Sequence, residues 1–371
     1  NYSHSSYNKC SSSWRGTLKT TTFIIRGVRI IYTNKDLQTM QAWPLERKIR
    51  VTQTRIMEWY MHYKGNAAVS FSGGADSTVL LDLTRRIYPH IEAVFVNTTM
   101  EFPEIIKFVK SYENVTVLTP KTTYANVIKE YGYPVISKEI SNYIYRMKNY
   151  DGCMEAYDNQ LHLKSAEWLR DNFSDIPFSF MKCMFGFSKK TAAEFLKTGI
   201  MPKSKYCIPK QWQYLIKAPF KINDRCCYHL KKAPIHRFCR ETGKKMIVGT
   251  LAEESQIRRQ AWLKQGCNAF NAAEPKSTPL SFWTAQDILQ YLNLTKIPYC
   301  SLYGDIIATS DGQLKFSGYQ RTGCVGCLYG CHYDEEPNRL QMLKITHPAL
   351  YNYFFEKLDY KTVCDFIGIP Y

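Results

Sequence analysis

From residue 55 to residue 131 the spacing of apolar positions switches repeatedly between two periods. Arg55–Tyr63 has helical spacing, and Ala67–Phe71 is a short apolar run that stops at Ser-Gly-Gly, as a buried strand does. Asp76–Arg86 returns to helical spacing through Val79, Leu80 and Leu83, continued by Ile87. Strand patterns follow at Ala93–Asn97 and Val115–Leu118, each trailed by a helix, from Pro103 to Ser111 and from Thr123 to Tyr131. Lys245–Gly249 predicts one more strand and Ala252–Lys264 one more helix. Strands alternating with helices at this interval predict right-handed βαβ units and a parallel sheet covered on both faces.

The pattern is different at the two ends. Thr20–Ile25 and Val28–Thr33, parted by Arg26-Gly27, predict a small hairpin. Residues 140–220 mix helical and loop patterns with many aromatics, and helical pieces recur at Thr284–Leu292, Arg339–Ile345 and Pro348–Leu358. The expected organisation is a basic N-terminal appendage (1–50), a doubly wound α/β nucleotide-binding domain (51–270) and a helical C-terminal region (271–371).

Composition narrows the classes. With 45% hydrophobic and 22% charged residues the chain is an ordinary globular protein rather than a disordered one. No apolar run approaches the ~18 residues that cross a bilayer. The start, at Asn1, lacks the charged-then-apolar order of a secretion signal. Thirteen cysteines without that signal point away from a secreted disulfide framework and towards metal or redox chemistry in a reducing compartment, the cytoplasm. The net charge of +17 attracts polyanions and phosphate-bearing ligands, nucleic acid among them. Residues 1–50 alone carry nine Lys/Arg against Asp36 and Glu46, either as a nucleic-acid contact or as a cover for the main domain.

The sharpest chemical signal is Ser72-Gly73-Gly74-Ala75-Asp76-Ser77-Thr78, between the first strand and its helix. The two glycines let the backbone turn tightly and approach a ligand, and the following helix offers free N–H groups and its positive end to an anion. Ser72, Ser77 and Thr78 add hydroxyls; Asp76 suits a helix cap or a carboxylate that places Mg²⁺ beside phosphates. No Lys-Ser/Thr follows the glycines, so this is not a Walker A loop.

This pattern resembles the PP-loop of ATP pyrophosphatases and of sulfonucleotide (PAPS and APS) reductases. Asn97-Thr98-Thr99-Met100-Glu101-Phe102-Pro103-Glu104 is similar to the family's D-T-G-x-x-F-P-E, with Asn97 for Asp and Thr99 for Gly. Gly132-Tyr133-Pro134 with Ser137-Lys138 resembles its next loop, and Gly249–Arg258 resembles G-x-R-x-x-E-S-x-x-R, with Leu251 where the pattern has Arg. Pro279-Leu280, Trp283 and Asp287 are similar to P-L-x-x-W-x-x-x-D. The resemblance runs from about residue 55 to 330. It implies an adenine nucleotide α-hydrolase-like fold and a loop (Ser72, Gly73, Gly74, Asp76, Ser77, Thr78, with Glu254 and Ser255) that holds ATP or a sulfonucleotide. Asp76, Arg258 and Lys138 are the implied catalytic residues.

Cys226-Cys227 and, 97 residues on, Cys324-Val325-Gly326-Cys327 form two tight thiol pairs that a fold could close into one site. Thiolates select zinc or iron–sulfur, and adjacent cysteines suit a zinc ribbon poorly. The arrangement resembles the [4Fe–4S] site of APS reductases, with Lys231 and Lys232 to offset its charge; zinc is the alternative. The reductases' nucleophilic E-C-G-x-H cysteine has no match. Cys364 and Cys331 are imperfect candidates, and the remaining cysteines show no ligand spacing. The leading expectation is therefore an ATP pyrophosphatase that uses Mg-ATP to adenylate an acceptor for sulfur transfer. The alternatives are a PAPS or APS reductase working with a thioredoxin-like partner, and a nucleotide- or nucleic-acid-binding regulator without turnover.

Overall fold

A computed structural model describes residues 32–371, so the expected hairpin at Thr20–Ile25 and Val28–Thr33 lies outside the described residues apart from its last two positions. The chain enters through α1 (Asn34–Gln41), started by a reciprocal cap between Thr33 and Asp36, and α2 (Leu45–His62). Then come β1 (Ala67–Ser70), α3 (Ala75–Arg85), β2 (Ala93–Val96), α4 (Pro103–Lys110), β3 (Val115–Leu118), α5 (Tyr124–Tyr131), β4 (Val135–Ile136) and α6 (Lys138–Asn149). A run of short helices leads to β5 (Lys245–Val248), followed by β6 (Asn268–Ala269), β7 (Lys276–Ser277), the hairpin β8 (Ile306–Ala308) and β9 (Leu314–Phe316), and β10 (Leu328–Tyr329).

The main sheet has the order β3-β2-β1-β5-β7-β6, parallel throughout except for the β6–β7 pair. The expected doubly wound α/β fold is what forms. Connections run outward from β1 to β2 and β3, then return to β5 on the other side. The order reverses between β1 and β5, where such sheets open a crevice at their carboxyl ends. Ala67, Ala68 and Val69 of β1 are fully or almost fully buried, as a strand covered on both faces requires. Among the described residues, no helix is long and apolar enough to cross a membrane.

Two departures from the sequence pattern have physical causes. The helix expected at Arg55–Tyr63 begins ten residues earlier, at Leu45. Its buried stripe is Lys48, Thr52, Ile56 and Trp59, and two of those four are polar, so the stripe is invisible to a hydrophobicity scan. The C-terminal region, expected to be helical, also supplies β7 to the central sheet and the strands β8–β10. Elements of two or three residues are too short to display a period.

Candidate functional site

The Gly-rich turn leaves β1 at the sheet's carboxyl edge. Gly73 takes φ +74, and a Cβ there would lie 2.9 Å from Val109 and 3.0 Å from Ile105 of α4, so only glycine fits. Ser77 and Thr78 hold the turn's shape. The Ser77 hydroxyl accepts from the Ser72 N–H (3.1 Å) and donates to the Gly74 carbonyl (2.9 Å), to which Thr78 also donates (3.0 Å). Gly249, at the end of β5, presses on the first turn of α3; a Cβ on it would lie 3.1 Å from the Asp76 carbonyl oxygen. The Ala75 N–H donates to the Tyr303 hydroxyl (3.0 Å), which pairs with Thr322 (2.7 Å). Burial pushes that phenol up to about 12, so it stays neutral. The N–H groups of Gly73, Asp76 and Ser77 donate to nothing among the described residues and are open to an anion.

Burial raises the Asp76 carboxyl to about 6, against the pull of Arg258 and Arg321, while Glu253 adds to the rise. Arg258 is ion-paired with Glu254, whose carboxylate also accepts from the Leu251 N–H (3.0 Å). The Ser255 hydroxyl accepts from the Arg258 N–H (3.3 Å) and starts the helix Gln256–Gln265. Glu254 and Ser255 thus position Arg258. Leu251 is buried, and a second guanidinium, Arg321, reaches Asp76 from a distant segment. Arg321, Thr322 and Tyr303 were not singled out in the sequence; the only local signal is that Arg321-Thr322-Gly323 runs directly into Cys324. Lys138 lies elsewhere: its charge lowers the Cys227 thiol, and it does not figure among the charges that act on Asp76.

The two cysteine pairs are gathered by one loop. Gly132, at φ +108, lets Tyr133 exchange hydrogen bonds with Lys221 and Asn223 (2.8 and 3.1 Å), just before Cys226. On its other side β4 pairs in parallel with β10, just after Cys327. The Val325 N–H donates to the Met100 carbonyl (2.6 Å), and the Tyr360 hydroxyl to the Gly326 carbonyl (2.8 Å). Cys226, Cys227, Cys324 and Cys327 then line one apolar cavity with Lys231 at its wall. The sulfurs of Cys226 and Cys227 are 4.0 Å apart. That contact, with Lys138 and Lys231, pulls Cys227 down and leaves the proton on Cys226, which goes up. Burial raises Cys324, and Cys327 to about 11; the Cys324 charge raises Lys231 in turn. Among the described residues no three His, Cys, Asp or Glu side chains converge on a single ion.

Lys231 also lines a second cavity, with Ser72, Glu101, Thr322 and Gly323, at the carboxyl ends of β1 and β2. The Gly-rich turn and the cysteines are therefore neighbours across one lysine. Cys331 and Cys364 are both buried, and burial pushes each thiol up to about 12. Cys153, Cys183, Cys267 and Cys300 are buried as well, while Cys10 lies outside the described residues.

Thr99 is exposed and has φ +66, a left-handed conformation that a β-branched residue adopts at a cost of about 1–2 kcal/mol. Thr99→Gly is expected to raise unfolding stability by about 1 kcal/mol, read as a higher urea midpoint at an unchanged slope.

The family model described as the phosphoadenosine phosphosulfate reductase domain matches residues 66–166 and 194–329. Among solved structures, the crystal structure of phosphoadenylyl-sulfate (PAPS) reductase from Candida auris in a phosphate complex is similar at 13% identity and a TM-score of 0.34, covering 74% of this chain and 93% of that one. No curated protein matches the chain.

Proposed function

The chain belongs to the phosphoadenosine phosphosulfate reductase domain family, and within it we propose an ATP-pyrophosphatase-type enzyme that adenylates an acceptor for sulfur transfer. The family takes sulfonucleotide substrates, so an adenine nucleotide is the ligand class, and the choice lies between ATP and PAPS or APS. One observation carries the choice. The two candidate reductase nucleophiles, Cys331 and Cys364, are buried thiols at about 12, whereas nucleophilic thiols are exposed and low. The second reading, sulfonucleotide reduction, needs a thiol from a thioredoxin-like partner.

In the proposed reaction the free N–H groups of Gly73, Asp76 and Ser77 bind phosphate oxygens, and Arg258 and Arg321 offset the charge that grows as pyrophosphate leaves the α-phosphorus. Asp76 is the group that would hold Mg²⁺ beside the phosphates. Cys226, Cys227, Cys324 and Cys327 would hold a [4Fe–4S] cluster, which supplies thiolate-bound iron for structure or electron transfer. The residues fit it: four cysteines face one apolar cavity, and the Tyr329 hydroxyl, buried beside three of them, has no partner among the described residues. A single zinc ion would need four sulfurs about 3.8 Å apart around one point, and among the described residues no three ligands converge so closely. Lys138 and Lys231 would balance the cluster's charge. The acceptor we favour is nucleic acid, given the charge of +17.

The test is product analysis under anaerobic conditions. AMP and pyrophosphate from Mg-ATP are the expected products; sulfite from PAPS or APS with reduced thioredoxin would sink the proposal. The raised Asp76 carboxyl adds a pH signature. Its carboxylate is lost as pH falls through about 6, so Mg-ATP affinity should weaken below that pH. The sign for stability is opposite. Because the folded value lies above the ordinary 3.8, the ionised form works against folding, and stability falls as pH rises from about 4 through about 6. Asp76→Asn should therefore lose Mg-ATP affinity yet melt higher than the parent at pH 7, with no such gain at pH 4.

A further inference from the structure

The family match stops at residue 166 and resumes at 194, so residues 167–193 lie outside it. That segment and the chain just after it carry an unusual surface. From Lys182 to Lys217 there are eight lysines and a single carboxylate, Glu194. Only Lys217 is ion-paired, with Asp158; the other seven have no carboxylate partner among the described residues. Lys189, Lys190, Lys197, Lys203, Lys205 and Lys210 are exposed.

Apolar groups stand among these charges where solvent should favour polar ones. The helix Lys189–Thr198 buries Ala192 and Phe195. Its other side presents Lys189, Leu196 and Lys197, with Ile200 just beyond the helix, and Leu196 and Ile200 are 48% and 67% exposed. Two contacts make the surface continuous. The Arg170 guanidinium lies where a Cβ on Gly199 would be 3.2 Å away, which brings the helix Ala166–Asp171 and its exposed Trp168 alongside. Ser204 and the Tyr206 carbonyl pack on Gly186, which ties the loop carrying Lys203, Lys205 and the 63%-exposed Tyr206 to the helix Phe178–Phe185.

We propose that this surface binds a single strand of nucleic acid. Unpaired lysines match a phosphate backbone, and exposed Trp168 and Tyr206 offer rings on which unstacked bases lie whatever their sequence. A duplex hides those base faces and would use the charge alone. The chain from this surface continues through Lys210–Lys217 to Cys226, one of the cysteines that line the cavity. The proposal deepens the acceptor reading above and rests on it only for what is modified, not for binding.

The test uses the full chain and a fluorescent single strand of about 20 nucleotides, read by anisotropy over a salt series. Lys189→Glu/Lys190→Glu/Lys197→Glu is expected to weaken binding about tenfold or more and to flatten the salt dependence by about two log units per log unit, as the loss of three phosphate contacts requires. Trp168→Ala should cost roughly tenfold for the single strand and little for a duplex. The control Lys107→Glu/Lys110→Glu/Lys129→Glu, equal in charge and on exposed positions elsewhere, should leave binding within about twofold. Equal losses in both triple variants, or no loss in the first, overturn the proposal. So does binding to phosphatidylserine vesicles that depends on the same lysines while the oligonucleotide is ignored. AMP and pyrophosphate formation, measured on the same preparations, separates the two readings: absent turnover with lysine-dependent strand binding removes the pyrophosphatase and leaves the surface.

Discussion

Lys48→Ala is expected to lower the unfolding free energy by about 3–5 kcal/mol, the largest stability loss we anticipate from a single surface-type residue. Lys48 belongs to the stretch whose sequence reads as a basic appendage, yet its side chain is 2% exposed. Its ammonium donates to Asp287 (2.5 Å) and to the Gln41 carbonyl (2.6 Å). Asp287 in turn accepts from the N–H and hydroxyl of Thr284 (2.7 and 2.8 Å) and starts the helix Ala285–Thr295. Removing the lysine leaves a buried carboxylate without its counter-charge, and that, rather than the lost attraction, sets the size of the effect. The Lys48→Met/Asp287→Asn double variant removes both charges and should lose much less than the sum of the two single variants. Urea unfolding of the four proteins measures this; additive losses would show that the pair is not coupled.

Gly132→Ala should destabilise the protein by about 2–5 kcal/mol and, on the proposed cluster assignment, lower the iron held by the cysteines. A Cβ at this position would sit 2.3 Å from the backbone carbon and oxygen of Lys221, at φ +108. Neither group can step aside, because Lys221 is the partner whose carbonyl accepts from Tyr133 just ahead of Cys226. The backbone bridge between Tyr133 and Ile222, which draws Cys226-Cys227 towards β4, would have to open. Anaerobically purified Gly132→Ala should hold far less iron than the parent at equal folded fraction. Gly243→Ala is the control, since that glycine also has positive φ (+72) but nothing lies within 4 Å of its Cβ position. It should be destabilised by strain alone and keep its iron.

Much of the fold was legible because the βαβ core obeys local rules. Val115–Leu118 forms the strand its pattern predicts, and Pro103 opens α4 where proline needs no N–H partner. The Gly-rich turn was legible for a similar reason: paired glycines ahead of a helix mark a tight turn, and Gly73 takes the positive φ that glycine adopts without strain. The motif Pro279–Asp287 was readable as a resemblance, but its work here is structural. Trp283 donates to Thr52 (2.9 Å) and Asp287 receives Lys48, so the motif docks α2. No local rule foretells a partner more than 200 residues away.

The site divides along the same line. That a tight, N–H-rich turn opens α3 beside Asp76 and that four cysteines stand in two close pairs follows from the order of residues alone, because both depend on positions a few apart. Which charges meet depends on how distant segments pack. That packing sent Lys138 to Cys227, supplied Arg321 near Asp76 where Leu251 offers no charge, and gave Tyr303 to the Ala75 N–H. It also buried Cys331 and Cys364, whose neighbours in sequence leave their exposure open. Backbone turns and caps are fixed by energies within a few residues, whereas the burial and ionisation of a side chain are fixed by whatever the rest of the chain packs against it.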